Sequence, residues 1–440
     1  MQNTLNISEF FGTDYVSYSS YDNLRKIGSV VDGQKNSSRK VLYTVLQNNI
    51  KTDNKVSSLA AKTAEFTEYL HGDISGVIVS LAQNFPGSNN IPLLVREGNF
   101  GTRFDSEASA ARYIYTHGSK EFFELFNKDD TFILEQQSFE GTPIEPVFFV
   151  PSLPLLLVNG SSGVSSGFAQ QILPRNPKDI KKYLQVKLTG KGKSPKLIPW
   201  FSGFDGKVQQ GITDKQWEIR GVVTRESANR VKISEIPVGI GLIDYIKVLD
   251  KLEDDKVIQS YKDMSEDNKF LFEVRIASKD LKEMSEDELL NKLKLIKRVS
   301  ENFTCMSEEN KIIVFDSPEE VFNHYIQVKL KYLNKRKEYK LQEFLKDITL
   351  EESRFAFINA IVTDTLIVNK RKKKDIEADL PNIPGIITQS GNYDYLLNMS
   401  IHSLTSERLD RLTKSIKELK SQHKALEKTK IEDIWLEELE

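Results

Sequence analysis

The feature that most constrains the fold of this chain is the helical repeat in its last quarter. The apolar seam, spaced by three and four residues, consists of Leu409, Leu412, Ile416, Leu419, His423 and Leu426. This spacing predicts a short coiled-coil seam. Residues 321–339 also keep a helical spacing of apolar side chains, through a basic segment. Two long helices around a compact insert, residues 351–398, predict an antiparallel coiled coil with a small globular tip.

The insert contains a basic run, residues 370–374, of the sequence KRKKK. A solvated surface is the usual role of such a run, ahead of a partner or DNA contact. We interpret His423 as a tolerated seam residue rather than a metal ligand.

Composition excludes several classes of protein. The only cysteine, Cys305, excludes internal disulfides and a Cys-based zinc site, and it fits a reducing cytosol. No apolar run approaches the roughly 18 residues of a membrane span, and no basic segment precedes an apolar run at the N-terminus. We therefore expect neither a membrane span nor a signal peptide. The net charge of -2 does not indicate nucleic-acid binding, although local groups of basic residues between 23 and 112 could form a basic surface.

The first third of the chain shows mainly helical periodicity after an N-terminal arm. Residues 1–22 show no clear periodicity, whereas residues 56–66 predict a helix that ends in a Gly-containing turn. Asp73 then predicts an N-cap, followed by a second helix. The apolar stripe of that helix is Ile74, Val77, Ile78 and Leu81. This pattern is typical of a helix-turn-helix, whose second helix can enter a major groove, and also of an ordinary helical hairpin.

The middle of the chain changes to strand periodicity. Apolar and polar residues alternate in residues 217–223, 230–236 and 270–276, as in half-buried strands. Residues 286–299 predict a helix among these strands. The region from about 158 to 317 is therefore predicted to be an α+β domain.

Five motifs carry functional information. In chain order they are Asp32-Gly33-Gln34-Lys35 with the basic residues and Leu42-Tyr43 that follow, His71-Gly72-Asp73, Gly98-Asn99-Phe100-Gly101, Ala110-Ala111-Arg112-Tyr113 and Asn159-Gly160-Ser161-Ser162-Gly163. In this order they resemble the breakage-reunion subunit of type IIA DNA topoisomerases, a family that includes the A subunits of gyrase and topoisomerase IV and the C-terminal half of the eukaryotic enzyme. The short length and the Gly-Thr-Arg variant of the third motif look most like the medium subunit of T-even-type bacteriophage enzymes.

The resemblance implies a set of catalytic residues. Tyr113 would attack a DNA phosphodiester and form a transient 5′-phosphotyrosyl link. Arg112 would stabilise charge on the transferring phosphate, and His71 would transfer a proton or stabilise the transition state. Tyr115 is interpreted as a packing aromatic.

The resemblance also implies DNA contacts. Arg25, Lys35, Arg39 and Lys40 match basic positions that contact phosphates in the family. Ile172 matches an apolar wedge that enters a base step and bends the DNA.

Four positions depart from the gyrase pattern. Tyr69 and Ser38 replace histidines. Ile74 and Ile78 replace a serine and an acidic residue that anchor fluoroquinolones through a water-metal bridge. We therefore expect weak fluoroquinolone sensitivity.

The resemblance further implies partners and domains. The sequence shows no acidic Asp-x-Asp metal motif and no ATP-binding glycine motif. Mg²⁺ and ATP are thus expected on a separate subunit of a two-fold heteromer, onto which the arm, residues 1–22, would dock. The expected domains are a winged-helix DNA-cleavage domain (23–155), a tower (156–316) and a coiled coil with a dimerising C-terminal gate (317–440, tip 351–402). Without the basic tail of gyrase, ATP-dependent relaxation and decatenation are expected, with no net negative supercoiling. The expected location is the cytoplasm, or the host bacterial cytoplasm for a phage protein.

Two other interpretations of the sequence remain. A non-catalytic helix-turn-helix protein with a coiled-coil dimer arm would bind or shape DNA without cutting it. A coiled-coil scaffold explains only the last quarter of the chain. The intact Arg112-Tyr113 pair, together with His71 and Lys35, favours the enzyme.

Overall fold

The computed structural model describes residues 6–400 and 404–439. The first five residues of the predicted arm, residues 401–403 at the end of the predicted tip, and residue 440 lie outside the described residues. The chain divides into two compact units, Met1–Leu330 with Glu438–Glu440, and Lys331–Glu437. Within the described ranges, no helix combines the length and the apolar character needed to cross a membrane.

The first unit contains most of the shorter helices. In chain order they are α1 (Ile7–Gly12), α2 (Asp14–Lys26), α3 (Asn36–Gln47), α4 (Val56–Thr67), α5 (Ser75–Ala82), α6 (Lys120–Leu125), α7 (Leu155–Asn159), α8 (Pro177–Thr189), α9 (Leu242–Asp254), α10 (Ser278–Glu283) and α11 (Glu286–Lys292). A 3-10 helix, Lys128–Phe132, follows α6.

The N-terminal arm is helical, which its lack of periodicity did not predict. The Asn6 side chain accepts a hydrogen bond from Ser8 N and caps α1. Helix α2 has an internal Lys26–Asp22 ion pair at 2.9 Å. Its last turn contains two basic residues, whose positive charges interact favourably with the helix dipole. Helix α2 therefore continues past residue 22, the end of the predicted arm.

Helices α3, α4 and α5 pack against one another. The α5 stripe is buried as predicted, at Ile74, Ile78 and Leu81. Asp73 Oδ1 accepts a hydrogen bond from Ser75 N at 2.9 Å, but the N-cap of α5 is Ile74, one residue after the predicted N-cap. The predicted pair of helices around a turn is therefore present.

The strands of the first unit are short. In chain order they are β1 (Asn54–Lys55), β2 (Tyr115–Thr116), β3 (Gln136–Phe139), β4 (Thr142–Pro146), β5 (Ser161–Val164), β6 (Ala169–Ile172), β7 (Lys207–Gln210), β8 (Gln216–Arg220), β9 (Val222–Ser227), β10 (Arg230–Glu235), β11 (Ser260–Asp263), β12 (Phe272–Arg275), β13 (Ile296–Ser300), β14 (Phe303–Met306) and β15 (Ile312–Phe315). One sheet has the order β11-β12-β10-β9 and a second has the order β13-β8-β7; β1-β2, β3-β4, β5-β6 and β14-β15 pair separately. Together with the helices, these sheets confirm the predicted α+β class.

The four-stranded sheet buries its apolar face against α9 and its neighbours. Val231, Ile233 and Phe272 from the sheet share this core with Tyr245 and Leu249 of α9. Alternation of period two predicts this burial correctly for β10 and β12, because successive side chains point to opposite faces of a strand.

The prediction of a helix over residues 286–299 is wrong in its second half. Helix α11 ends at Lys292, and Lys294 adopts a left-handed φ of 56°. The chain then forms β13, in which Val299 pairs with Trp217 of β8. Pairing with a distant strand overrides the local helical pattern here.

The second unit contains the predicted coiled coil. Helix α12 (Pro318–Val362) begins in the first unit, and α13 (Lys373–Asp379), α14 (Asp394–Leu397), α15 (Ser406–Lys428) and α16 (Ile431–Glu438) follow it. Lys337 Nζ donates to Thr429 O at 2.7 Å, whereas Glu352 pairs with Lys420 at 2.6 Å. The contact residue later in α12 pairs with the residue earlier in the chain around α15, so the two helices are antiparallel, as predicted.

The tip of the coiled coil has its own small core. Its buried residues are Phe357, Ile358, Ala360, Leu366, Ile376, Leu380, Leu396 and Leu412. The basic run beside it is exposed. Lys373 pairs with Asp394 and Arg371 pairs with Asp379, both at 2.6 Å. These surface pairs agree with the interpretation of the run as a solvated face.

Candidate functional site

Tyr113 lies on an exposed turn. Its side chain is 67% exposed, and its backbone N–H donates to Ala110 O at 2.9 Å. The guanidinium carbon of Arg112 is 4.9 Å from the centre of the Tyr113 ring. This distance allows a cation–π contact that keeps a positive charge beside the phenol. The structure therefore brings the predicted nucleophile and its predicted electrostatic partner together.

The backbone on both sides of Tyr113 is anchored to α4. Val56 N donates to Ile114 O at 3.0 Å, and Ser57 N donates to Ala111 O at 3.2 Å. These amides lie in the first turn of α4, where N–H groups have no partner within the helix. Ile114 is 1% exposed and fixes the loop from below. The exposed Tyr113 side chain therefore lies on a loop whose backbone is hydrogen-bonded to α4.

The glycine-rich third motif holds the approach to this turn. Gly101 has a φ of +84°, and a Cβ there would lie 2.4 Å from Ser106 O, so this close approach requires glycine. Gln83 Nε2 donates to Phe100 O at 2.9 Å and to Ser106 O at 3.0 Å. The end of α5 is thereby connected to the loop that leads to Tyr113.

Tyr115, which we interpreted as a packing aromatic, is exposed. Its side chain is 39% exposed. Its backbone exchanges hydrogen bonds with Glu97, and in β2 it pairs with Lys55. Tyr115 therefore contributes to the structure through its main-chain hydrogen bonds, and these do not involve its ring.

His71 is exposed and contacts two tyrosines. Its Nε2 atom shares a hydrogen bond with the Tyr21 hydroxyl of α2. The rings of Tyr21 and Tyr69 each lie with their centres 5.8 Å from the imidazole. The Arg25 guanidinium carbon in turn lies 5.5 Å from the Tyr21 ring. Sequence reasoning missed Tyr21, because no motif contains it and the arm showed no periodicity.

The structure corrects the prediction that Arg39 contacts phosphate. Arg39 is only 4% exposed, and its Nε and Nη2 atoms donate to the Asp32 carboxylate at 2.8 and 3.2 Å. Asp32 Oδ2 also accepts from Phe149 N at 2.9 Å. A buried charge needs such partners. Arg39 therefore holds the first motif together instead of facing a ligand.

Lys40 is also engaged within the protein. Its Nζ atom pairs with Glu145 at 2.8 Å and donates to Thr67 O at 2.7 Å. The prediction that Lys40 contacts phosphate is therefore corrected as well. Its ammonium group is partly buried and already has partners within the protein.

Lys35 and Arg25 are the accessible members of the predicted basic set. Arg25 is exposed, and Lys35 is half-buried. Lys35 Nζ donates to Ser162 O at 2.7 Å, which joins the first motif to the fifth. Burial lowers the pKa of Lys35 below its usual range. Ser38, which replaces a family histidine, accepts a hydrogen bond from Lys35 N at 3.0 Å and caps α3.

Ile172 is not presented as an exposed wedge. It is 2% exposed and pairs with Ser161 across the β5-β6 hairpin. The residue is among those that line a cleft of about 1150 Å³, together with Lys35 and Lys297. Insertion of Ile172 between bases would require the side chain to leave this packing. Tyr113 and His71 lie outside the lining of the cleft.

The residues present do not form a metal site by themselves. Across residues 6–400 and 404–439, no group of three or more His, Cys, Asp or Glu side chains could hold a metal ion. Cys305 is buried, and burial raises the pKa of its thiol to about 12. A thiol with so high a pKa is a poor ligand and nucleophile at neutral pH.

Comparisons with known proteins identify relatives of this chain. A profile of the family formed by the A subunits of DNA gyrase and topoisomerase IV matches residues 25–440. The mitochondrial DNA topoisomerase 2 of Dictyostelium discoideum is 33% identical over 98% of this chain and 34% of its own length. The DNA topoisomerase 2 of Penicillium chrysogenum is 32% identical over 98% of this chain and 30% of its own length. The chain thus spans about a third of the length of these relatives.

A solved structure has the same fold over almost the whole chain. It is the DNA-binding, cleavage and re-ligation domain of Plasmodium falciparum topoisomerase II, with a TM-score of 0.88 and 30% sequence identity. The match covers 99% of this chain and 64% of that one.

Proposed function

This chain belongs to the family of the A subunits of DNA gyrase and topoisomerase IV, and we propose that it cuts and rejoins DNA as the breakage-reunion subunit of a type IIA DNA topoisomerase. The observation that carries the proposal is the exposed Tyr113 beside Arg112, on a loop whose backbone is bonded to α4 at Ala111 and Ile114. This arrangement presents a phenol to a large polyanion and keeps a cation beside it.

The proposed reaction exchanges one phosphodiester for another. The Tyr113 oxygen attacks a DNA phosphorus atom, so that a bond to the tyrosine forms and the bond to the 3′ oxygen breaks. The phenol loses its proton, and the departing 3′ oxygen gains one. Rejoining reverses both steps. The reactant and the product each contain one phosphodiester, so the reaction needs neither an oxidant nor hydrolysis. The phosphotyrosyl bond conserves the energy that is needed to rejoin the DNA.

Two further side chains would assist this exchange. The Arg112 guanidinium would stabilise the negative charge that builds on the phosphate, as fixed cations do in phosphoryl transfer. The His71 imidazole would donate a hydrogen bond or a proton near the scissile phosphate. Among the described residues, no hydrogen bond or ring contact joins His71 to Tyr113 within one chain.

DNA binding in this proposal uses the remaining accessible cations. Arg25 and Lys35 would contact phosphates, and the cleft lined by Lys35 would receive the duplex. Ile172 would bend the DNA only after leaving its packed position. Arg39 and Lys40 would support this surface from behind.

Cofactors and partners are also part of the proposal. We place Mg²⁺ and ATP on a companion subunit, and we place a homodimer contact at the C-terminal gate, as the family resemblance implies. Mg²⁺ would supply Lewis-acid stabilisation of the phosphate. The described residues of this chain do not themselves form a metal site. Residues 23–155 would form the cleavage domain, residues 156–316 the tower, and residues 317–440 the coiled coil with its gate.

Trapping the covalent link tests the proposal. The native complex, isolated through an affinity tag on this chain, is incubated with plasmid DNA, Mg²⁺ and ATP and then denatured with detergent. We expect 5′-linked DNA on the wild-type chain and none on Tyr113→Phe, because phenylalanine lacks the attacking oxygen. Tyr115→Phe is the matched control and should still form the link.

Two outcomes would contradict the proposal. A covalent link that persists in Tyr113→Phe would mean that another residue attacks the DNA. DNA binding without any covalent link in the wild-type complex would instead support the non-catalytic DNA-binding alternative. Strand passage is read separately, as ATP-dependent relaxation and decatenation of plasmid substrates.

A further inference from the structure

Helix α2 extends a side chain onto His71. Tyr21 and His71 are 50 residues apart in the sequence, yet the Tyr21 hydroxyl and His71 Nε2 share a hydrogen bond. Their ring centres are 5.8 Å apart. This contact links the N-terminal helices to the second motif, and no family motif contains it.

The end of α2 that carries Tyr21 is firmly held. The two residues after it, Asp22 and Asn23, are buried, at 7% and 8% exposure. Asp22 accepts hydrogen bonds from Ser166 N at 2.9 Å and Ser166 Oγ at 3.0 Å, and Asn23 Oδ1 accepts from Ser165 Oγ at 2.6 Å. The β5-β6 hairpin therefore sets the position of α2, and with it the position of the Tyr21 side chain.

His71 has little other support. It is exposed, and it lies in a turn between Glu68 and Gly72, which both have left-handed φ values of 50° and 84°. Within the described part of the chain, the Tyr21 hydroxyl is the only hydrogen-bond partner of its imidazole. The Tyr69 ring lies in a T-shaped arrangement with the imidazole. An exposed imidazole without a hydrogen bond samples several rotamers, whereas a hydrogen bond to one ring nitrogen restricts the orientation of the ring.

We propose that Tyr21 is a positioning residue for His71: its hydroxyl holds Nε2 and leaves Nδ1 to face a DNA phosphate oxygen. The inference rests on the proposed function, in which His71 acts at the scissile phosphate. Tyr21 touches neither the DNA nor the reacting atoms; it acts through the imidazole.

The hydroxyl can be removed without removing the ring. Tyr21→Phe keeps the aromatic face on which the Arg25 guanidinium lies, 5.5 Å from the ring centre. We expect covalent complex formation by the native complex to slow by about tenfold or more, since small errors in placement of a reacting group cost rate. DNA affinity should change by less than about twofold, because the charge and the ring remain. Tyr18→Phe, an exposed tyrosine on the same helix, is the matched control and should behave as wild type.

A double-variant cycle separates positioning from a structural role. In a His71→Ala background, Tyr21→Phe should change the cleavage rate by less than about twofold, because the group that it positions is absent. An equal loss of rate in both backgrounds would overturn the inference, and so would a wild-type rate for Tyr21→Phe alone. If the wild-type complex forms no Tyr113 link at all, the proposed function fails instead, and the two failures are distinguishable.

A spectroscopic readout completes the test. The chain has five histidines, so side-chain ¹⁵N spectra of imidazole-labelled protein are simple to compare. Tyr21→Phe should shift the Nε2 signal of His71 and leave that of His423 unchanged. An unchanged His71 signal would mean that the hydrogen bond does not form in solution and would overturn the inference.

Discussion

Two arginines in the motifs of this chain have opposite surroundings. Arg112 is exposed beside Tyr113, on a loop anchored to α4. Arg39 is 4% exposed and makes two hydrogen bonds to Asp32, which is fully buried. The sequence motifs suggest a phosphate contact for both. The difference shows that basic residues in the family motifs can be either exposed or buried in an internal ion pair.

The reason for the difference is the cost of an unpaired charge. Asp32 also accepts a hydrogen bond from Phe149 N, so its carboxylate organises three segments around the start of α3. Without Arg39 that carboxylate would be left buried without its cation, which is strongly unfavourable. The Arg112 side chain is exposed, so its positive charge is accessible to a ligand.

The largest expected effect separates the two arginines by stability. Arg39→Ala should lower the free energy of unfolding by about 3–5 kcal/mol, because it strands the Asp32 charge. Arg112→Ala should change it by about 0.5 kcal/mol or less, as for other exposed substitutions. Denaturant unfolding followed by circular dichroism measures both. A smaller loss for Arg39→Ala than for Arg112→Ala would show that the Arg39–Asp32 pair does not stabilise the fold.

The next effect separates them by activity. Arg112→Ala in the native complex should slow formation of the Tyr113 link by about 10²-fold, since it removes a cation next to the transferring phosphate. Arg112→Lys should recover part of this loss by restoring the charge. Single-turnover cleavage of end-labelled DNA gives the rates. If Arg112→Ala cleaves as fast as wild type, the guanidinium does not act on the phosphate.

The smallest effect concerns two buried residues that follow the second motif, one at the N-cap of α5 and one within that helix. Ile74 and Ile78 are 1% and 0% exposed, and neither can hydrogen-bond. A fluoroquinolone should therefore raise the amount of cleaved DNA by about twofold or less, because the drug lacks its water-metal anchor. Plasmid linearisation by the native complex, with and without drug, measures this. Strong stimulation of cleavage at low drug concentration would show that the drug binds without these side chains.

Local patterns predicted much of this molecule correctly. The seam that begins at Leu409 identified α15, and the stripe that includes Ile78 identified α5, because helical periodicity follows from the backbone repeat. The same reasoning failed where a distant segment decided the outcome. Residues 296–299 form a strand because β8 is available to pair with them, and the arm is helical although its periodicity is weak.

Local patterns and motif order in the sequence predicted most of the elements, the family and the proposed nucleophile, Tyr113. Only the tertiary structure decided which basic residues are accessible, that Ile172 is packed rather than exposed, and that Tyr21 of α2 holds His71. The physical reason is that periodicity and motif spacing are local properties of a chain. Distant segments determine whether a charged side chain, an apolar wedge or an imidazole is buried and which hydrogen-bond partners it has. Burial and hydrogen bonding in turn set the free-energy cost of placing that group there and its ability to contact a ligand.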